Sequence, residues 1–237
     1  MKKILLILFL VFMGSVCYAK ARPFLTEEET PTGAKFLPLP PKPTEASFYN
    51  DWLRYQWGKS IRNTERGKQA IDDAVHTLEY FSKIYSEPLG IEISSKSTPE
   101  ILTLLERLLE TTYLCVQKSK SRFMRARPFV QFHEPTPIPK DEEKLKDTSS
   151  YPSGHTTMGW AIALVLAEIN PERQDEILKR GFEYGESRVI VGFHFQSDVD
   201  AARIITSALI NRLNVNEDFR QQLNKAKIEF QQNKKIK

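Results

Sequence analysis

Three separated blocks of this 237-residue chain carry residue types that can handle a phosphoryl group. The first is Lys120 with Arg127-Pro128 seven residues on. The second is Pro152-Ser153-Gly154-His155. The third is Ser187-Arg188 followed by His194 and Asp198. Lys120, Arg127 and Arg188 would supply three permanent cations, Arg as a planar fork and Lys as a point charge. Ser153 and Gly154 sit where a helix would begin. The free N–H groups of a helix N-terminus form an anion cradle, and a glycine there lets the backbone approach closely. His155 would stand on the first turn beside a bound anion, which favours its protonated form and suits a general acid. His194 and Asp198 are four apart, the spacing of neighbours on one helix face. A carboxylate that accepts from one ring nitrogen leaves the other as a directed lone pair, a nucleophile or base with its orienting partner.

Other assignments of these residues fit less well. Ser153 with His194 and Asp198 could form a serine hydrolase, but no Gly-x-Ser-x-Gly elbow is present. His155, His194 and Asp198 could ligate a metal, but three adjacent cations would repel a divalent ion, so neither metal nor other cofactor is implied. His76 and His133 have no comparable company and read as surface or supporting residues. Lys118, Lys120, Arg122, Arg125 and Arg127 put five cations within ten residues. Alone they could be a solvated helix face. Pro128, however, ends a helix at Arg127, and Lys120 would lie two turns earlier on the same face.

The elements that must position these groups read as helical. Asn63-Thr64-Glu65 opens a helical stretch expected to run to about Tyr85. Thr98-Pro99 caps and starts another, with Ile101, Leu104, Leu105, Leu108, Leu109 and Thr112 on one face. Cys115 continues that face as a buried apolar residue. A helix is expected from about Gly154, another after Asn170-Pro171, and two more over 199–213 and 216–232. Residues 134–150, with three prolines and a charged run, read as a long mobile loop between two of the blocks. The best strand signal, Val189 to Phe193, is short. The fold class is therefore all-α, a single compact multi-helix bundle domain over 46–237. Residues 20–45, proline-rich from Pro31 to Pro43, read as an extended arm wrapped on the surface.

Residues 1–19 read as a secretory signal peptide: Met1-Lys2-Lys3, an apolar run from Ile4 to Phe12, and small residues before a cut after Ala19. The run is too short for a comfortable membrane span, and no later stretch suggests one. Stable membrane insertion after cleavage is not expected, and export across the inner membrane points to the periplasm. Cleavage removes two lysines, lowering the cations from 34 to 32 against 30 acids. That balance is too mild to argue for nucleic acid as partner. Cys115 would be the remaining cysteine, so no internal disulfide holds the fold. The sequence leaves room for a homo-oligomer.

The three blocks resemble the signature of the acid phosphatase superfamily that includes type 2 phosphatidic acid phosphatases and vanadium haloperoxidases. Within it the chain resembles the bacterial class A nonspecific acid phosphatases. Residues 62–70 (Arg-Asn-Thr-Glu-Arg-Gly-Lys-Gln-Ala), 150–156 and 197–203 agree, and the likeness runs from about Phe36 to the C-terminus. Ser149 departs from it, since the family often has glycine there. The resemblance implies hydrolysis of a broad range of small phosphomonoesters. His194 would attack phosphorus and form a phosphohistidine, Asp198 would orient it, and His155 would protonate the leaving oxygen. Lys120, Arg127, Arg188, Ser153 and Gly154 would hold the phosphoryl oxygens. Haloperoxidase chemistry with vanadate, lipid phosphate hydrolysis and non-catalytic phosphate binding are the alternatives. The chain is short for the first and lacks membrane spans for the second. A nucleophile and an acid are superfluous for the third.

Overall fold

A computed structural model describes residues 21–234, so the signal-peptide expectation for residues 1–19 lies outside the described residues. Helices α1 (Phe48–Ser60), α2 (Glu65–Asp72), α3 (Leu78–Leu89), α4 (Pro99–Phe123), α5 (Pro128–Phe132), α6 (Pro139–Leu145), α7 (Gly154–Ile169), α8 (Gln174–Ile190), α9 (Gln196–Asn214) and α10 (Glu217–Lys234) pack into one all-α bundle, with no strand among the described residues. Val189 and Ile190, read as strand-like, instead close α8, fully buried. Their β-branched bulk serves packing rather than a sheet.

Helix α4 is the longest element, and α7 is its most apolar neighbour. Ile101, Leu104, Leu105, Leu108 and Cys115 of α4 are buried with Ala161, Ile162, Ala163, Val165 and Leu166 of α7 in one core cluster. Each such side chain contributes about 1.5–3 kcal/mol by leaving water. Helix α8 lies close against α7, because Gly159 has no side chain; a Cβ there would come within 2.4 Å of the Tyr184 ring. That approach sets the spacing between the start of α7, which carries His155, and the end of α8, which carries Arg188. After α8, Gly192 adopts φ +82°, a left-handed turn natural to glycine. This turn sends the chain back so that the Phe193 and His194 N–H groups both donate to Arg188 O.

Four local expectations change. The helical stretch from Glu65 breaks at Asp73–Thr77, and Thr77 caps α3 by accepting from Tyr80 N. Asp73 is buried and bound by Ser187 Oγ (2.6 Å), Tyr80 Oη (2.8 Å) and Arg180, which holds the break in place. Thr98 does not cap α4. Its hydroxyl accepts from Ser94 N, and the Glu229 carboxylate of α10 accepts from Glu100 N and Ile101 N instead. Residues 134–150 contain a helix, α6, started by Pro139. The proline-rich arm is not confined to the surface: Phe24, Leu25 and Leu37 are buried in the main cluster, and Gly33 sits against Ser119 and Ile205.

Candidate active site

All eight residues singled out by the sequence converge at one end of the bundle. Lys120 comes from the last turn of α4, Arg127 precedes α5, Ser153 to His155 open α7, Arg188 ends α8, and His194 and Asp198 flank the start of α9. The convergence shows in their mutual fields: Arg127, Lys120 and Arg188 all act on His194, while Arg188 also acts on Arg127 and His155. Two expected geometries differ. Lys120 and Arg127 do not share a helix face, because α4 ends at Met124 in a left-handed conformation (φ 41°). They meet through the following loop, both donating to the Ser149 carbonyl, Lys120 Nζ at 2.8 Å and Arg127 Nη2 at 3.2 Å. His194 likewise lies before α9 rather than on it, and only Asp198 is helical.

His194 is nearly fully buried. Its Nδ1 lies 3.4 Å from Asp198 Oδ2, and its Nε2 lies 3.2 Å from Arg127 Nη1. A guanidinium only donates, so Nε2 must accept and the ring proton belongs on Nδ1, beside the carboxylate. The lone pair is thus on Nε2. Burial, then Arg127, Lys120 and Arg188, pull the His194 pKa well below its ordinary value, so the ring is neutral. Asp198 Oδ2 also accepts from Phe195 N (2.8 Å), and Oδ1 accepts from Arg125 Nη1 (2.6 Å).

His155 has the opposite tautomer. Its Nε2 is 3.1 Å from the Ala74 carbonyl, which only accepts, so Nε2 carries hydrogen and Nδ1 is the exchangeable site. Ala74 lies in the break between α2 and α3. Its neighbour His76, exposed as expected, sets its ring edge-on to His155 at 4.7 Å. Dense surroundings, then Arg188 and His76, lower the His155 pKa well below the usual range, although the residue still reaches solvent. His133 is exposed at the C-terminal end of α5.

Ser153 Oγ accepts from Thr156 N (3.3 Å) and Thr156 Oγ1 (2.9 Å), which leaves its own proton to donate. The Ser153 N–H is used by Asp198 O (3.0 Å), which locks the start of α7 to α9. The Gly154 and His155 N–H groups beyond it have no intrahelical partner. A Cβ on Gly154 would lie 3.8 Å from Lys120 Cε, an ordinary contact. The glycine therefore keeps open the space in front of Lys120 rather than avoiding a clash. Lys120, Gly154 and His155 reach solvent, whereas Arg127, Ser153, Arg188, His194 and Asp198 form the buried wall.

Arg188 is fully buried, and none of its three side-chain nitrogens has a hydrogen-bond partner among the described residues. A buried cation without an acceptor is costly. Burial lowers its pKa. Burial and Arg188 bring Arg127 down to about 10, and burial and Arg127 bring Lys120 down to about 7. Lys120 is therefore a conditional cation, not a permanent one. Three crowded cations, with spare donors on Arg188 and Lys120 and every Arg127 N–H already engaged, form a site matched to a multiply charged anion.

Sequence reasoning did not find Arg125, whose side chain joins Asp198 to Asp51; it was one of five clustered cations with nothing to distinguish it. Nor did it find the Ala74 carbonyl. Ser149, the departure from the family pattern, has a part of its own: its hydroxyl accepts from Arg125 N at 3.1 Å, a bond glycine could not make.

The PAP2 superfamily profile matches residues 103–218, which span all three blocks. A non-specific acid phosphatase of Providencia stuartii is 46% identical over 90% of this chain and 86% of its own length. One from Salmonella typhimurium is 39% identical over 94% and 92%. An acid phosphatase of Zymomonas mobilis is 36% identical over 82% and 75%.

Proposed function

The chain belongs to the bacterial class A nonspecific acid phosphatases of the PAP2 superfamily, and we propose that it hydrolyses a broad range of small phosphomonoesters without a metal, through a phosphohistidine on His194. The fully buried guanidinium of Arg188, without a hydrogen-bond partner among the described residues and close enough to Arg127, His155 and His194 to act on all three, carries this reading. A phosphoryl dianion supplies the acceptors that Arg188 lacks and relieves the repulsion between the cations.

In the proposed reaction the phosphoryl oxygens take donors from Arg188, Arg127, Lys120, the Ser153 hydroxyl and the α7 amide groups. The pull of the dianion on Arg127 frees His194 Nε2 to attack phosphorus in line. Positive charge then grows on the imidazole, and Asp198 Oδ2 stabilises it through the Nδ1 proton. The same dianion raises the His155 pKa, so that Nδ1 gains a proton to give to the leaving oxygen, while the Ala74 carbonyl keeps the ring in place. Water then attacks the phosphohistidine, with neutral His155 accepting its proton. Preorganised cations perform the charge neutralisation that metal ions perform in other phosphoryl-transfer sites.

A depression of about 380 Å³, lined by His76, Leu78, Glu106, Leu109 and Met158 among others, borders His155 through His76. No helix among the described residues is long and apolar enough to cross a membrane, which favours small substrates over membrane lipids. The leader-like residues 1–19 support a periplasmic location. The test is a panel of alkyl, aryl, sugar and nucleoside monophosphates assayed with and without a chelator. Hydrolysis across the panel, unchanged by chelator, is expected. Activity confined to one ester, or lost in chelator and restored by a divalent metal, would overturn the reading.

A further inference from the structure

Asp198 reaches His194 with one oxygen, Oδ2, and its other oxygen is held by a charged cluster outside the phosphate site. Oδ1 accepts from Arg125 Nη1 at 2.6 Å. The same guanidinium donates through Nη2 to Asp51 Oδ2 (2.7 Å) and the Pro41 carbonyl (3.2 Å), and it lies over the Phe195 ring at 4.2 Å. Asp51 in turn accepts from Ser197 N (2.8 Å) and Ser197 Oγ (2.6 Å). The N-cap of α9, Phe195, has no side-chain acceptor, so Asp51 of α1 supplies the cap from outside the helix. Asp51, Asp198 and Arg125 are all buried.

Resting on the phosphatase reading above, we infer that Arg125 is a positioning residue for the nucleophile. It clamps Asp198 Oδ1 so that Oδ2 alone faces His194 Nδ1, and Asp51 fixes Arg125 and the first turn of α9 in that register. Two buried carboxylates share one guanidinium, which leaves one negative charge over. His194 becomes cationic during phosphoryl transfer and matches that charge. Of the groups facing His194 from other elements, Lys120 of α4, Arg127 before α5 and Arg188 of α8 oppose this positive charge and the Ser150 backbone favours it, so Asp198 Oδ2, 3.4 Å from Nδ1, is the anionic support beside the ring.

The test compares Arg125→Met, Arg125→Lys and Asp51→Asn with the wild-type enzyme, measuring kcat, KM and the pH dependence of kcat/KM on one aryl phosphate, with helicity followed by circular dichroism. Arg125→Met should lose about 100-fold in kcat, the scale of an ångström of misplacement. KM should change little, since Lys120, Arg127 and Arg188 are untouched. With the competing cation gone, His194 should hold its proton more tightly, so the acid limb of kcat/KM should move to higher pH. Arg125→Lys, a point charge that cannot fork across two carboxylates, should leave the limb in place but recover only part of kcat. Asp51→Asn should lower kcat with KM unchanged, and it decides the matter if Arg125→Met does not fold. Folded variants with wild-type kcat and acid limb, or with kcat and phosphate affinity lost in parallel, would overturn the inference. An inactive wild-type enzyme would instead overturn the phosphatase reading itself.

Discussion

Arg127 Nη1 sits 3.2 Å from His194 Nε2, on the nitrogen that carries the ring's lone pair. The cation that would bind the phosphoryl group therefore also holds the atom proposed to attack it. Arg127 has further acceptors in the Phe193, Leu145 and Ser149 carbonyls, so the guanidinium is fixed and only the Nε2 contact needs to yield. Replacing Arg127 by Lys keeps a charge but loses the fork. It should lower kcat/KM by at least 10-fold, about 1.4 kcal/mol, with phosphate inhibition weakened. Steady-state kinetics with inorganic phosphate as competitor measure both, and unchanged inhibition would remove Arg127 from the phosphate site.

Lys120 should make phosphate affinity depend on pH. Burial and Arg127 bring its pKa down to about 7, below the ordinary lysine value. It is therefore charged below that pH and neutral above it. His155, also lowered, must gain a proton when the dianion arrives. Binding of sulfate, a dianion that does not itself titrate here, should take up protons at pH 7, and its affinity should fall as pH rises through neutrality, placing the optimum on the acid side. Calorimetry in buffers of different ionisation enthalpy counts the protons. Binding without proton uptake would contradict both assignments.

Gly154→Ala tests whether the glycine serves the protein or its ligand. The added Cβ meets Lys120 Cε at 3.8 Å, so the helix start should tolerate it. Thermal stability should stay within about 1 kcal/mol of wild type, the scale of an ordinary helical Gly-to-Ala exchange. Inhibition by phosphate should weaken, because the methyl group occupies the open face of the cradle. A fold that melts early with phosphate binding intact would reverse the interpretation.

The charged groups and the fold class were legible because the chemistry depends on residue type and the bundle on helical periodicity. Lys120, Arg127, Ser153, Gly154, His155, Arg188, His194 and Asp198 all arrive at one place. What the sequence could not supply was geometry decided by distant partners. Nothing local says that Asp73 is bound by Arg180 and Ser187, yet that anchors the break delivering the Ala74 carbonyl to His155. Glu229 caps a helix 128 residues away, and Arg125 looks like its neighbours until Asp51 and Asp198 close around it. The i to i+4 spacing of His194 and Asp198 suggested one helix face, whereas the pair forms across a helix start.

His155→Ala should chiefly slow substrates with poor leaving groups, since an activated phenolate needs no proton. With an alkyl phosphate the loss should approach the 10²–10⁴-fold typical of acid catalysis, and with a nitrophenyl ester it should be far smaller. A plot of rate against leaving-group pKa for both enzymes gives the answer. Equal losses across the series would remove the acid role from His155.

The nucleophile is tested most directly by trapping. Rapid quench of a radiolabelled aryl phosphate into alkali preserves a phosphohistidine, which is base-stable and acid-labile. Wild-type enzyme should give protein-bound label that disappears on acid treatment and maps to the peptide containing His194, and His194→Ala should give neither label nor turnover. Label on another residue, or His194→Ala turning over at the wild-type rate, would contradict attack by His194 Nε2.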